Sequence, residues 1–247
     1  MNTQIRFPMK QYGRFKKNEI KPWRKQGWGI PPEQNSDFVA AMENVLEVYN
    51  RPYNPRNPLV CMDESPKQLI GQVAPTQPVK PGKPAREDYE YKRNGVCNIF
   101  MACETLASKR LVKVTKFKKK CDWALFMKEI AGMYKEADKI TIVMDNYATH
   151  KPGAFYEAFS PSEAAEILKR FEFIYTPKHG SWLNMAEIEL NVLNGQCLNR
   201  RIAELETVEE EVVSWQSYRN KRNYVVNWQF TTGDARIKLK RLYPTLH

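Results

Sequence analysis

No stretch of this 247-residue chain approaches the ~20 consecutive apolar residues that a membrane span needs, and its first residues lack a hydrophobic signal core. The expectation is a chain with no membrane partner, cytoplasmic, and nucleoid-associated if it binds DNA. The five cysteines (Cys61, Cys97, Cys103, Cys121, Cys197) are scattered, odd in number and include no Cys-x-x-Cys pair. That argues against a zinc site or disulfide framework and for small buried residues in a reducing compartment. Acid is scarce where base is dense. From Met1 to Lys25, eight basic residues (Lys16, Lys17, Arg24 and Lys25 among them) face one acid, Glu19. A second run carries Lys109, Arg110, Lys113, Lys116, Lys118, Lys119 and Lys120 with no acid between them.

At 28.9 kDa the chain can bury a full core. Its net charge of +11 favours a polyanionic partner, because each phosphate neutralised releases counterions. The plainer reading of the same charge is a solvated surface that keeps the protein soluble.

Three segments are expected: a basic arm or linker over 1–36, broken by Pro22, Gly27, Gly29, Pro31 and Pro32; a catalytic domain over 37–225; and a basic C-terminal tail over 226–247. Spacings of three and four from Ser36 through Phe38, Met42, Val45, Leu46 and Tyr49 predict a helix. Leu59 to Asp63 reads as a buried strand. Val73 to Gly95 is a Pro/Lys/Gly segment long enough to be functional, or else a mobile surface loop. Val96 to Cys103 and Leu111 to Phe117 read as an antiparallel pair. A helix over Asp122 to Tyr134, a strand over Ile140 to Met144, two short helices near 154–159 and 162–171, and a strand over Phe171 to Tyr175 follow. Helices are then expected from about Leu183 to Arg200 and from Thr207 to about Arg222. Three successive strands followed by strands with helical crossovers make a mixed five-stranded sheet with helices on its faces. This is α/β, of ribonuclease-H-like topology, with the first and fourth strands parallel neighbours.

Such a sheet brings Asp63 and Asp145, each closing an apolar run, to one edge. Alternation puts Leu59, Cys61 and Asp63 on one face and Val60, Met62 and Glu64 on the other, which makes Glu64 the weaker ligand candidate. Glu187 opens the helical stretch after a Gly-containing loop and shares a helix face with Asn184. Glu189 is its competitor, about 200° further round. Carboxylates so placed suit Mg²⁺, which prefers oxygen ligands and keeps positions for water and phosphate. Two such ions ~4 Å apart support in-line displacement at phosphorus. Taken singly, an Asp after a strand is most often a turn or cap residue, and a helical Glu is most often solvated. His150 and His179 are read as loop-bonding residues around the site, with general acid–base catalysis as the sharper alternative. Trp182 reads as a packing anchor.

The segments Cys61-Met62-Asp63-Glu64, Val143-Met144-Asp145-Asn146-Tyr147-Ala148-Thr149-His150 and Tyr175-Thr176-Pro177-Lys178-His179-Gly180-Ser181-Trp182-Leu183-Asn184-Met185-Ala186-Glu187-Ile188-Glu189 carry a resemblance. So do Gln196 to Ile202 and Trp228-Gln229-Phe230-Thr231-Thr232. From about Lys17 to the end, the chain resembles the DDE transposases of bacterial insertion sequences related to the mariner group. The resemblance implies a ribonuclease-H-like domain whose catalytic, metal-holding triad matches Asp63, Asp145 and Glu187, with Mg²⁺ as cofactor and Mn²⁺ able to substitute. Glu187 is preferred over Glu189 because the family's third acid follows an Asn by three positions. It implies cleavage at transposon ends, then attack of the freed 3′-hydroxyl on target DNA. Double-stranded DNA, both ends and target, is the expected partner of a homodimer.

Lys16, Lys17, Arg24, Lys25, Lys118, Lys119, Lys178 and His179 are candidate DNA contacts. The Val73 to Gly95 segment is expected to reach toward a second subunit or DNA. Family members usually begin with helix-turn-helix units. This chain starts near where those end, so an N-terminally truncated copy is expected. A catalytically silent DNA-binding remnant, or an inhibitor of full-length transposase, is the alternative. A ribonuclease-H-like nuclease with other substrates is a further one.

Overall fold

A computed structural model describes residue 30 and residues 33–245. The expected basic arm, with Lys16, Lys17, Arg24 and Lys25, lies almost wholly outside the described residues. The fold is built on five strands: β1 (Leu59–Gln72), β2 (Tyr91–Glu104), β3 (Lys109–Thr115), β4 (Ile140–Met144) and β5 (Phe171–Tyr175). Their order in the sheet is β3-β2-β1-β4-β5. The first three run antiparallel to one another, whereas β1, β4 and β5 are parallel. Among the described residues this is the mixed sheet expected from the order of elements.

The strands sort their side chains by alternation. Val60, Met62, Phe100, Ala102, Ile142 and Met144 face α2 (Lys120–Met133), α3 (Gly153–Ala158) and α4 (Pro161–Lys169), where Trp123, Phe126, Ile130 and Phe155 complete one core layer. Cys61, Met101, Cys103, Val143 and Ile174 face the opposite layer. That layer comes from α1 (Ser36–Tyr49), α5 (Met185–Leu193), α6 (Leu205–Lys221) and α7 (Thr232–Lys238).

Four expectations need correction. The first strand does not stop at Asp63. It runs to Gln72, paired with β2 as far as Tyr91 and with a register shift between Leu69 and Ile70. At about 3.3 Å per residue, this hairpin extends about 30 Å past Asp63. It narrows the Pro/Lys/Gly segment to 73–90, whose paired bridges Gln77–Arg86 and Lys80–Lys83 make it a tapering hairpin. Arg201 anchors its base through the carbonyls of Asp88 and Glu90.

The long helix expected from Leu183 to Arg200 is instead a 3₁₀ turn (Ser181–Leu183), α5, and a π turn over Asn194–Leu198. Gly195 weakens helix propagation there, and the wider turn delivers Leu198 and then Ile202 to the core. The segment 226–247, expected as a tail, carries α7 and a 3₁₀ turn over Lys240–Leu242, with Ala235 and Leu242 fully buried. Leu242 O accepts from Asn35 N–H at 3.1 Å, and Arg236 pairs with Glu43 at 2.8 Å, which ties both ends of the described chain together. The last correction concerns charge, and it is taken up with the site.

Candidate active site

Leu59, Val60 and Cys61 of β1 pair with Thr141, Ile142 and Val143 of β4. Continuing that register carries Asp63 to the level of Asp145 as the two strands part. Pairing between these two strands ends at Cys61 and Val143, while β1 continues beside β2 with Asp63 opposite Met101. The third element is brought in by Asn184. Its side-chain oxygen caps α5 by accepting from Ala186 N–H at 3.1 Å, and its amide donates to Met62 O at 2.8 Å. A buried N-cap thus stitches the first turn of α5, where Glu187 sits, to the residue before Asp63. Tyr49 adds a second stitch by donating to Leu183 O at 2.6 Å.

Asp63 feels this convergence. Burial, and then the charges of Glu64, Asp145 and Glu187, push its carboxyl up to about 7, against the opposing hydrogen bond from Glu64 N–H. The three acids lie within Coulombic reach of one another. They do not form a contact cluster, and among the described residues no three acidic, histidine or cysteine side chains are gathered into a ready-made metal site. Their chemistry nevertheless fits a hard divalent cation. All the donors are carboxylate oxygens, and burial and neighbouring carboxylates, rather than any cation among the described residues, set the raised pKa of Asp63.

Asp145 is held differently. His150 Nδ1 lies 2.6 Å from its Oδ1, and the ring's Nε2 lies 3.2 Å from Glu64 Oε2, an ion pair without good hydrogen-bond alignment. Burial lowers the His150 pKa, but the two carboxylates outweigh it and raise it to about 9. Burial in turn raises Asp145 and Glu64, and the charged partners win, so both sit below their ordinary values. Lys118 closes the network, with Nζ 2.6 Å from Glu64 Oε1 and 4.3 Å from the centroid of Tyr147. Tyr175 donates to His150 O at 3.2 Å. Of these, His150 was legible as a loop-bonding residue. Glu64 was legible as facing away from Asp63, and Tyr147 and Tyr175 only as members of the segments that carry the resemblance, with no role assigned.

Glu189 is committed elsewhere. It is fully buried and accepts from Arg110 Nε at 2.7 Å and Nη2 at 2.8 Å, and from Arg219 Nη2 at 2.9 Å. A carboxylate so occupied lies on the face of α5 turned toward β3 and α6, whereas Glu187, in the first turn, makes no ion pair to other described side chains. Trp182 packs on Phe230 with centroids 5.9 Å apart, as a packing anchor should.

The expected phosphate-binding groups divide. Arg110 is interior, Lys109, Lys113, Lys118 and Lys120 are each paired with a glutamate, and only Lys116 and Lys119 of that run have no carboxylate partner among the described residues. Those two lie over Phe117. The basic run is therefore largely neutralised, which the absence of acid within it concealed, because all its partners lie outside the run and all but Glu104 are distant in sequence. Lys178 and His179 are exposed on the loop before Glu187, and His179 adopts a φ of 64°. The turn closes through Gly180 N–H to Pro177 O at 2.8 Å. A Cβ on Gly180 would lie 2.5 Å from Pro177 Cγ, so only glycine fits.

Sheet order and crossover helices define an α/β fold of ribonuclease-H-like topology. The sequence profile of the DDE superfamily endonucleases matches residues 58–209, and the chain belongs to that family. No curated protein sequence matches it. Among solved structures, the chain is similar to a Mos1 transposase paired-end complex with left transposon end (16% identity, 87% of this chain and 66% of that one, TM-score 0.53). It is also similar to the mariner Mos1 paired-end complex with Mg (16%, 95% and 72%, 0.56). A third likeness is the Mos1 strand transfer complex (17%, 87% and 64%, 0.53). The chain spans about two thirds of the length of the chains in these structures, and at such identities the likeness speaks for the fold.

Proposed function

We propose that this chain is the catalytic part of a DNA transposase, which cleaves DNA at transposon ends and joins the freed 3′-hydroxyl to target DNA with a divalent metal. The observation that carries the reading is the convergence of two parallel strands and a capped helix: the β1–β4 register brings Asp63 level with Asp145, and Asn184 ties the first turn of α5, which holds Glu187, to Met62. Membership of the DDE endonucleases supports the nuclease chemistry, and the DNA complexes of the similar structures support the substrate class.

In this reading Asp63, Asp145 and Glu187 would hold Mg²⁺, or Mn²⁺ in its place. Bound there, the ion supplies charge neutralisation at phosphorus and activation of the attacking oxygen. The protein's own groups do the positioning. Asn184 fixes where α5 begins, and His150 holds one oxygen of Asp145. Lys178 and His179, on the loop leading to Glu187, are proposed phosphate contacts, as is Lys119, which has no carboxylate partner among the described residues. Lys118 is committed to Glu64 and is proposed to act within the site rather than on DNA. One site serves cleavage and joining because each displaces an oxygen at phosphorus. Working on two ends at once calls for two copies, so a homodimer on DNA is part of the proposal, in whichever compartment holds that DNA.

The test is purified protein incubated with supercoiled plasmid, or with duplex oligonucleotides carrying the element's ends, plus Mg²⁺ or Mn²⁺, beside Asp145→Ala. Nicking or strand transfer that needs the metal and is lost in the variant is expected. Salt-sensitive binding with no cutting under any metal would assign the chain as a silent DNA binder instead.

A further inference from the structure

Glu64 is a buried acid beside the site that the proposed reaction leaves without a task. Its side chain is 3% exposed, yet it meets two cations, Lys118 and His150. Both also act on Asp145, His150 by direct contact and Lys118 through its charge. Strand alternation sends Asp63 to one face of β1 and Glu64 to the other. Two consecutive residues thereby reach two of the three acids, the first directly and the second through the imidazole.

We infer that Glu64 is a positioning residue for the metal-holding centre. Through His150 it fixes the orientation of the Asp145 carboxylate, and by retaining Lys118 it keeps that ammonium from occupying the Asp145 oxygens in place of a divalent ion. The inference rests on the metal-site reading above. Its geometry is a relay, Glu64 Oε2 to His150 Nε2 at 3.2 Å and His150 Nδ1 to Asp145 Oδ1 at 2.6 Å, with the ring wedged against Trp123 at 5.5 Å between centroids. His150 is 1% exposed and Glu64 3%, so neither can swing to water to find another partner. Removing the Glu64 charge leaves the imidazole with one anchor and frees Lys118. His150 is the outer partner of a carboxylate proposed to hold metal, and Glu64 braces that partner; losing such outer groups commonly costs 10- to 100-fold in metal affinity.

The experiment measures Mn²⁺ binding by calorimetry and by electron paramagnetic resonance on the full chain, without turnover. Wild type, Glu64→Gln, His150→Gln, the double variant and Asp145→Ala are compared. Glu64→Gln is expected to melt, metal-free, near the wild-type temperature and to weaken Mn²⁺ binding about 10- to 100-fold. The double variant should lose less than the product of the two single losses, because the route through His150 is shared while the route through Lys118 belongs to Glu64 alone. Unchanged Mn²⁺ affinity in folded Glu64→Gln, or losses that multiply in the double variant, would overturn the inference. If Glu64→Gln does not fold, His150→Gln reads the same relay, and an unchanged Mn²⁺ affinity there overturns it equally. A wild type indistinguishable from Asp145→Ala in Mn²⁺ binding would remove the metal reading itself, and this inference with it.

Discussion

Two glutamates two positions apart on α5 have opposite fates, and the difference is measurable. Glu189 lies between Arg110 and Arg219 with no exposure, so removing it leaves two buried guanidinium groups without their anion. Glu189→Ala should cost about 3–5 kcal/mol in denaturant unfolding. Glu187 makes no hydrogen bond or ion pair to other described side chains, and Glu187→Ala should leave the unfolding midpoint nearly unchanged while abolishing cleavage. A reversed pattern, with Glu187 essential to folding and Glu189 to chemistry, would exchange their assignments. Asn184→Ala belongs with these. It removes an N-cap and exposes the buried Met62 carbonyl to loss of its donor, an expected cost of about 1–3 kcal/mol. Spacing from Asn184 favoured Glu187 without deciding it. The contact that occupies Glu189, Arg110, lies 79 residues away in sequence and looked in the sequence like part of a DNA-binding run.

At the scale of elements, legibility followed burial. β4 and β5 match the sequence reading residue for residue because each is a short apolar run between polar boundaries. β1 was legible only as far as Asp63. Past that point Glu64, Ser65, Pro66, Lys67 and Gln68 carry no apolar alternation, and backbone pairing with β2 alone continues the strand. The C-terminal helix was missed because its apolar content is low. It is held by polar contacts, and this gives a pH prediction. Glu43 sits below its ordinary value chiefly through its hydrogen bond from Arg236, and Asp234 is lowered to about 2, first by Thr231 N–H at the start of α7. A depressed folded-state pKa contributes stability that is present above the unfolded value and lost as pH falls through the folded one. Docking of α7 should therefore weaken on acidification from about pH 4.5 toward 2, seen as a change in tryptophan emission from Trp182 and Trp228, which pack on this segment. Glu43→Gln should show a smaller acid-induced change, having lost part of that dependence already at neutral pH.

For the whole molecule, the net charge of +11 predicts DNA binding that falls steeply with salt, with log K declining by about 0.9 per phosphate neutralised. Charge count alone, however, does not say which residues carry the slope. Lys113 and Lys120 are already paired with Glu129 and Glu157, whereas Lys116 and Lys119 in the same run are free of carboxylates among the described residues. Surface pairs of this kind contribute little to stability, so either set can be replaced without unfolding the protein. Lys116→Ala with Lys119→Ala should lower the salt slope by about 2 and weaken binding to all duplex sequences alike. Lys113→Ala with Lys120→Ala should change it less, because each lysine is held by its glutamate and neutralises no phosphate while that pair lasts. Filter-binding or anisotropy titrations between low and physiological salt separate the two outcomes. Equal slopes for both double variants would mean that DNA breaks the glutamate pairs on binding and that the run acts as one patch, as its sequence alone suggests.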